Sequence, residues 1–346
     1  MITRRSATAL LCFAAMSGCL VPPAFAHLTG VFAYFVQDIS EPTATTRLLR
    51  QQLSASAERI AQLQPEIEAA RNAYAAQAET VVRRMRFYDV YAGNAVGALW
   101  TGAQDPIDVL ASMALMQKRL DEDLQALVAL EKAYASIQLK EQTFTRYQDL
   151  LRAFETSAEA RDARLASIPP NLVSPFGEPY AAYEIAEAWE AFRPTTFISY
   201  FEWAARRIAV GMDKVLAPAD TSSGSWEIRE DVLNALIGGD MFPFMEDAQI
   251  YLRADHINFS ARLRNGKGSY HLLTIGQLER TGPASVQYRI EGIFLDGMPI
   301  DPNDPDVQRE VYQGKLLPID LTPILPKGSR GVSFAQHNGY LSFRRL

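Results

Sequence analysis

Apolar residues recur at three- and four-residue steps through two long stretches of this chain. In the first they are Leu49, Leu53, Ile60, Leu63, Ile67, Ala70, Tyr74, Val81, Met85 and Tyr88. In the second they are Leu110, Met113, Leu120, Leu124, Leu127, Tyr134, Ile137, Phe144, Tyr147, Leu151 and Phe154. Glu, Gln, Arg and Asp fill the positions between, which is the narrow seam of a coiled coil. A narrow seam needs one partner helix, and the nearest is the other stretch. The pattern predicts a long antiparallel coiled-coil hairpin over residues 44–166. Arms of about 45 and 55 residues, rising 1.5 Å per residue, reach roughly 70–80 Å. The first arm starts near Thr43–Thr46, where threonines can cap a helix after the extended chain at Pro42. Pro65 lies inside it. The seam keeps phase from Leu63 to Ile67, which favours a kink there over two separate helices.

Three glycines, Gly93, Gly97 and Gly102, punctuate the connection between the arms. Asp105-Pro106 supplies a cap and a first-turn residue for the second arm. Val96, Leu99 and Trp100 fall on one face of a short helix. They either plug the end of the hairpin or form a docking surface, for which Trp and Tyr are favoured. Tyr88 and Tyr91 join that surface if their rings face the same way.

The pattern changes after the second arm. Pro169, Pro170, Pro175 and Pro179 mark a joint. An aromatic-rich helical segment follows to residue 216, so residues 167–216 read as a proline-rich joint and helical connector. Residues 217–225 have the Ser, Gly and Pro content of a linker. Beyond it, Trp226–Ile237 reads as one amphipathic helix stopped by Gly238-Gly239. Ile257, Phe259, Ala261 and Leu263 alternate as in a strand, and His271–Leu278 is the next one. Val286, Tyr288 and Ile290 alternate in a further strand, where Gly292 marks a bulge that switches the face. Asn265-Gly266, Asp296-Gly297 and Asn338-Gly339 are turns. Residues 226–346 therefore read as a small α+β domain whose antiparallel sheet has one solvated face. The expected fold class is mainly α: a long antiparallel coiled-coil hairpin, a helical connector and this domain.

The start of the chain changes the compartment. Arg4 and Arg5 precede an apolar run from Ala7 to Val21, and Ala24-Phe25-Ala26 is a small-residue cleavage site. Residues 1–26 read as a signal peptide and 27–43 as a leader, in which Val31–Val36 is a strand or the start of a helix. Met16-Ser17-Gly18-Cys19 keeps open a lipoprotein signal. The expected location is extracytoplasmic. Cys12 and Cys19 are the only cysteines, so cleavage after Ala26 leaves neither disulfide nor thiol chemistry. The net charge of -6 and scattered basic residues argue against nucleic acid.

Candidate chemistry is sparse. His27, His256, His271 and His337 show no H-x-H or H-E-x-x-H spacing. The acidic loop Asp301–Asp306 lacks the glycine and glutamate of a calcium loop. No catalytic residue, cofactor or metal is assigned.

One ordered set of motifs carries a resemblance. Val82-Arg83-Arg84-Met85-Arg86-Phe87-Tyr88 leads to Tyr91-Ala92-Gly93, then Val96-Gly97-Ala98-Leu99-Trp100-Thr101-Gly102, then Asp105-Pro106-Ile107-Asp108-Val109-Leu110. Over residues 45–160 this resembles the secreted coiled-coil regulators of cell-wall hydrolysis that dock on the FtsEX membrane complex (the EnvC, PcsB, CwlO and RipC type). The Cys/His or zinc peptidase domain that many of them carry has no counterpart here. The resemblance implies a non-enzymatic scaffold or regulator of peptidoglycan hydrolysis in cell division. It would dock on a membrane complex of the FtsEX type through Tyr88, Tyr91, Val96, Leu99 and Trp100, and could engage a peptidoglycan hydrolase. The tail looks like the curved-sheet lipid-binding domains of the YpmS kind, through its helix, strands and Gly314-Lys315-Leu316-Leu317-Pro318-Ile319. That implies a second function: a lipid- or glycan-binding envelope protein acting through residues 226–346. A carboxylate-based glycan-cleaving enzyme is the third class.

Overall fold

The computed structural model describes residues 34–35, 37–38, 41–87, 105–166, 180–215, 225–238, 245–265, 268–309, 318–320 and 331–345. The expected signal peptide 1–26, the connection 88–104 and the expected proline-rich joint up to residue 179 lie outside them, as does the expected linker at 217–224. The elements run α1 (Ala44–Phe87), α2 (Pro106–Ala166), α3 (Tyr180–Phe192), a π-helical segment (Arg193–Ile198) and α4 (Ser199–Val215). Then come β1 (Ser225–Arg229), α5 (Glu230–Ile237), β2 (Met245–Leu252), β3 (Ile257–Asn265), β4 (Gly268–Gly282) and β5 (Ser285–Leu295). The chain closes with β6 (Met298–Ile300), β7 (Pro318–Asp320), β8 (Val332–His337) and β9 (Tyr340–Arg345). Among the described residues no helix is long and apolar enough to cross a membrane.

Helix boundaries follow local chemistry. Thr43 Oγ1 accepts the Thr46 amide at 3.3 Å, satisfying one of the free N–H groups that open α1. Asp105 Oδ1 does the same for the Ile107 amide at 2.9 Å at the start of α2. α1 runs through Pro65 as one helix. In the leader, Tyr34, Phe35, Gln37 and Asp38 are helical.

The fold class is α+β, not the mainly α coiled-coil hairpin that the seam predicts. Two antiparallel sheets form, one in the order β1-β9-β8 and a six-stranded one in the order β2-β3-β4-β5-β6 with β7 also on β5. Contacts divide the chain into two compact units, Met1–Ala55 with Asp149–Leu346, and Ser56–Gln148. The first unit holds both sheets and the first turns of α1 together with the last part of α2. There Leu49, Leu150, Ala153 and Phe154 pack against Tyr251, Leu273, Ile275 and Phe294 of the large sheet, with Leu48 and Leu53 beside them. The expected solvated face is therefore covered by helix. The seam residues are apolar at helical spacing because a sheet buries them there.

In the second unit α1 and α2 lie side by side and antiparallel. Arg71 pairs with Glu141 at 2.6 Å, Lys140 with Glu66 at 3.2 Å and Arg84 with Asp123 at 2.9 Å. The Tyr74 and Tyr134 rings are 5.6 Å apart. Leu63, Ile67, Val81, Ile137 and Tyr147 are buried. Leu110, Met113, Leu120, Leu124 and Tyr134, expected in the seam, are exposed.

The other face of the large sheet forms the main core with α3, α4, α5 and the small sheet. Trp189, Phe197, Tyr200, Phe259, Leu263 and Phe343 are among its members. The aromatic density of α3 and α4 is thus core packing. Trp226–Arg229, expected as helix, is β1, with Trp226 opposite Phe343 and Ile228 opposite Leu341. The helix proper starts at Glu230 and ends where the Gly238 amide donates to the Asn234 carbonyl at 2.8 Å. Gly292 does sit beside a register shift. That shift puts Ile290 and Ile293 in the same core and leaves Phe294 on the α1/α2 side. In the turn after β5, Gly297 has φ +71° and its Cα lies against the Ser157 carbonyl of α2, where no side chain fits.

Candidate functional site

Four exposed apolar residues of α2 form a stripe, while another, Leu115, is exposed on a different side of the helix. Leu110, Met113, Leu120 and Leu124 follow the three-and-four spacing of a single helix face, and none is less than 45% exposed. Half-buried Leu127 continues the spacing. Asp123, which pairs with Arg84 of α1, and buried Ile137 fall on a different line of the same helix. α2 therefore carries two apolar faces, and α1 covers one. Near the 88–104 connection, Val82 of α1 and Ile107 of α2 are exposed as well, at 48% and 71%. The expected partner-binding residues Tyr88, Tyr91, Val96, Leu99 and Trp100 all lie outside the described residues.

A polar cluster ties α1 to the large sheet within the first unit. His256 Nδ1 is 2.9 Å from Asp255 Oδ2, and its Nε2 is 3.1 Å from Glu291 Oε2. Gln52 of α1, buried, donates from Nε2 to Asp255 Oδ2 at 3.3 Å. Arg289 pairs with Glu291 at 2.8 Å and with Glu279 at 2.9 Å. Burial opposes charging of the imidazole, but hydrogen bonding and attraction from Asp255, then Glu291, outweigh it and raise the His256 pKa. The hydrogen bond from His256 holds Asp255 down at about 2.

The signs set a pH window. A raised histidine stabilises the fold fully below its ordinary 6.5, and that contribution is lost as pH rises through the raised value. A depressed aspartate stabilises above its ordinary 3.8 and loses this as pH falls toward about 2. His256→Gln should therefore cost most stability near pH 5 and clearly less near pH 9. Urea unfolding of both proteins at the two pH values measures this; an equal cost at both would contradict the charged bridge.

His271 behaves differently. Burial, opposed by Asp296, lowers its pKa to about 4, so the ring is neutral at pH 7. Its Nε2 lies 3.0 Å from Ser260 Oγ, at the wall of an open cleft that Arg152 and Arg262 also line. The pair resembles a nucleophile and base, but the nearby carboxylate is engaged elsewhere. Asp296 Oδ1 accepts the His271 backbone amide at 2.6 Å, and its Oδ2 accepts two bonds from Arg164, at 2.9 and 2.7 Å. Among the described residues the buried His271 Nδ1 has no hydrogen-bond partner, so none of them serves as a third group orienting this ring. Among the described residues no group of three or more His, Cys, Asp and Glu side chains is placed to hold a metal.

Neither histidine environment is visible in the sequence. His256 meets Gln52 across 204 residues and Glu291 across 35, which no local spacing encodes. No family model, no curated protein and no solved structure matches this chain.

Proposed function

We propose that this protein is an extracytoplasmic, non-enzymatic scaffold or regulator of peptidoglycan hydrolysis. It docks on a membrane complex of the FtsEX type through the paired helices and the connection between them. The observation that supports this reading is the apolar exposure at that end of the pair. Val82 and Ile107, in the last turns before and the first turn after residues 88–104, are exposed to water. They border the segment that carries Tyr88, Tyr91, Val96, Leu99 and Trp100. A peptidoglycan hydrolase is the second partner in this reading.

The test is Trp100→Ala. Binding to membranes that contain the complex should weaken by at least about thirtyfold, the loss expected of a hot-spot aromatic, with the melting temperature nearly unchanged. Unchanged binding per folded molecule would refute docking through the connection.

A second reading, binding of a lipid by the C-terminal region, has one feature in its favour. A cavity of about 90 Å³ lies between α4, α5 and the two sheets, and apolar side chains such as Phe201, Leu233, Ile257 and Leu341 line it. Tyr200 and Tyr288 also border it, but their hydroxyls bond to the carbonyls of Ile237 and Ile257. A dry space of that size holds the end of a hydrocarbon chain, not a whole lipid.

A further inference from the structure

Resting on the second reading above, we propose that the cavity between α4, α5 and the two sheets is a binding site for the methyl end of a single saturated hydrocarbon chain, and that Ala204 makes the room for it. Protein interiors keep few voids larger than a water molecule, so an apolar space of about 90 Å³ stands out from ordinary core packing.

The wall decides the chemistry of the occupant. On α4, Tyr200, Phe201, Ala204 and Ile208 follow the three-and-four spacing of one helix face, and all four border the cavity. Ala204 is buried, and among the described lining residues it alone is smaller than leucine. The helix thus brings three large apolar side chains to the wall and leaves space at the fourth. The hydroxyls of the two lining tyrosines are engaged, Tyr200 donating to the Ile237 carbonyl at 3.3 Å and Tyr288 to the Ile257 carbonyl at 3.0 Å. Among the described residues no polar surface lines the cavity. A polar group buried there would lose its bonds to water and gain none, whereas each buried methylene is favourable. Sugars, ions and the head of any lipid are excluded, and hydrocarbon is not.

Access selects a chain end. Ile208, Ile250 and Leu278 are half-buried, while the other described lining residues are buried. Solvent reaches that part of the wall, so a chain can enter there with its polar head left in water.

Isothermal titration calorimetry of the purified full chain tests this with two probes, decanoate and a lysophosphatidylcholine of the same chain length, each below its micelle-forming concentration. They carry the same hydrocarbon end, one as a free fatty acid and the other on a membrane-lipid head. At least one should bind one-to-one, and the tighter of the two identifies the source of the chain. The terminal methyl of the bound probe should give nuclear Overhauser contacts to the ring of Phe201 or Phe259. Ala204→Leu should weaken binding at least about tenfold with circular dichroism unchanged, because the added side chain takes up the space. If that variant does not fold, the ring contacts in the unaltered chain decide the matter. Binding of neither probe overturns both this site and the reading it rests on. Binding without the ring contacts, or binding that a folded Ala204→Leu leaves unchanged, overturns the site alone and leaves lipid binding elsewhere in the C-terminal region standing.

Discussion

Arg253→Met should lower stability by about 3–5 kcal/mol, the range for removing one partner of a buried ion pair. Arg253 and Glu230 have side chains only 3% exposed, and the Arg253 Nη1 to Glu230 Oε2 distance is 2.7 Å. The same carboxylate oxygen accepts the Leu252 amide at 2.7 Å. Glu230 stands in the first turn of α5, where the free N–H groups and the helix dipole favour a negative charge. Methionine fills similar space but leaves that carboxylate buried without its counter-charge. The cost comes from stranding Glu230, not from losing an attraction of that size. Hence Arg253→Met combined with Glu230→Leu should recover much of the loss, as hydrophobic replacement of a whole buried pair is often neutral. Urea unfolding of the single and double variants gives both numbers. A double variant no better than the single would show that the pair holds α5 on β2 by more than charge.

Phe259→Ala should cost about 3–5 kcal/mol and fall toward the upper end of that range. The ring is 2% exposed and lies 5.4 Å from the Tyr200 ring and 5.1 Å from the Phe201 ring, between β3 and α4. It also borders the existing cavity of about 90 Å³. Removing it enlarges a void that the surrounding core has not closed, so collapse offers little relief. The matched control is Leu272→Ala, also fully buried in this core but not on the cavity wall. Thermal and urea unfolding measure the two losses. A loss at Phe259 below about 2 kcal/mol would mean that the cavity closes readily when a neighbour is removed.

Much of the local structure was legible in the residues. Three-and-four spacing marked α1 and α2, and Thr43 and Asp105 marked their starts. Alternation marked β3 and β5. Asp296-Gly297 and Asn338-Gly339 marked turns, since both glycines take positive φ, +71° and +87°. Each of these signals acts between neighbours in the chain. Met245–Leu252 was missed for a local reason as well. Its register with β3 shifts between Glu246 and Gln249, and Asp247 has φ +53°, so its apolar residues do not alternate cleanly.

Tertiary structure alone decided what covers each apolar face. Trp226 and Ile228 suit a helix face or a strand, and the available edge of β9 made them a strand. Leu49 and Phe154 keep the same spacing as Leu120 and Leu124, yet the first two pack on a sheet and the last two face water. The same holds for His256, whose partners come from α1 and β5, and for the burial that keeps His271 neutral. Periodicity records which side of an element avoids water. It carries no information about the element on the other side of the contact, because that depends on segments a hundred or more residues away.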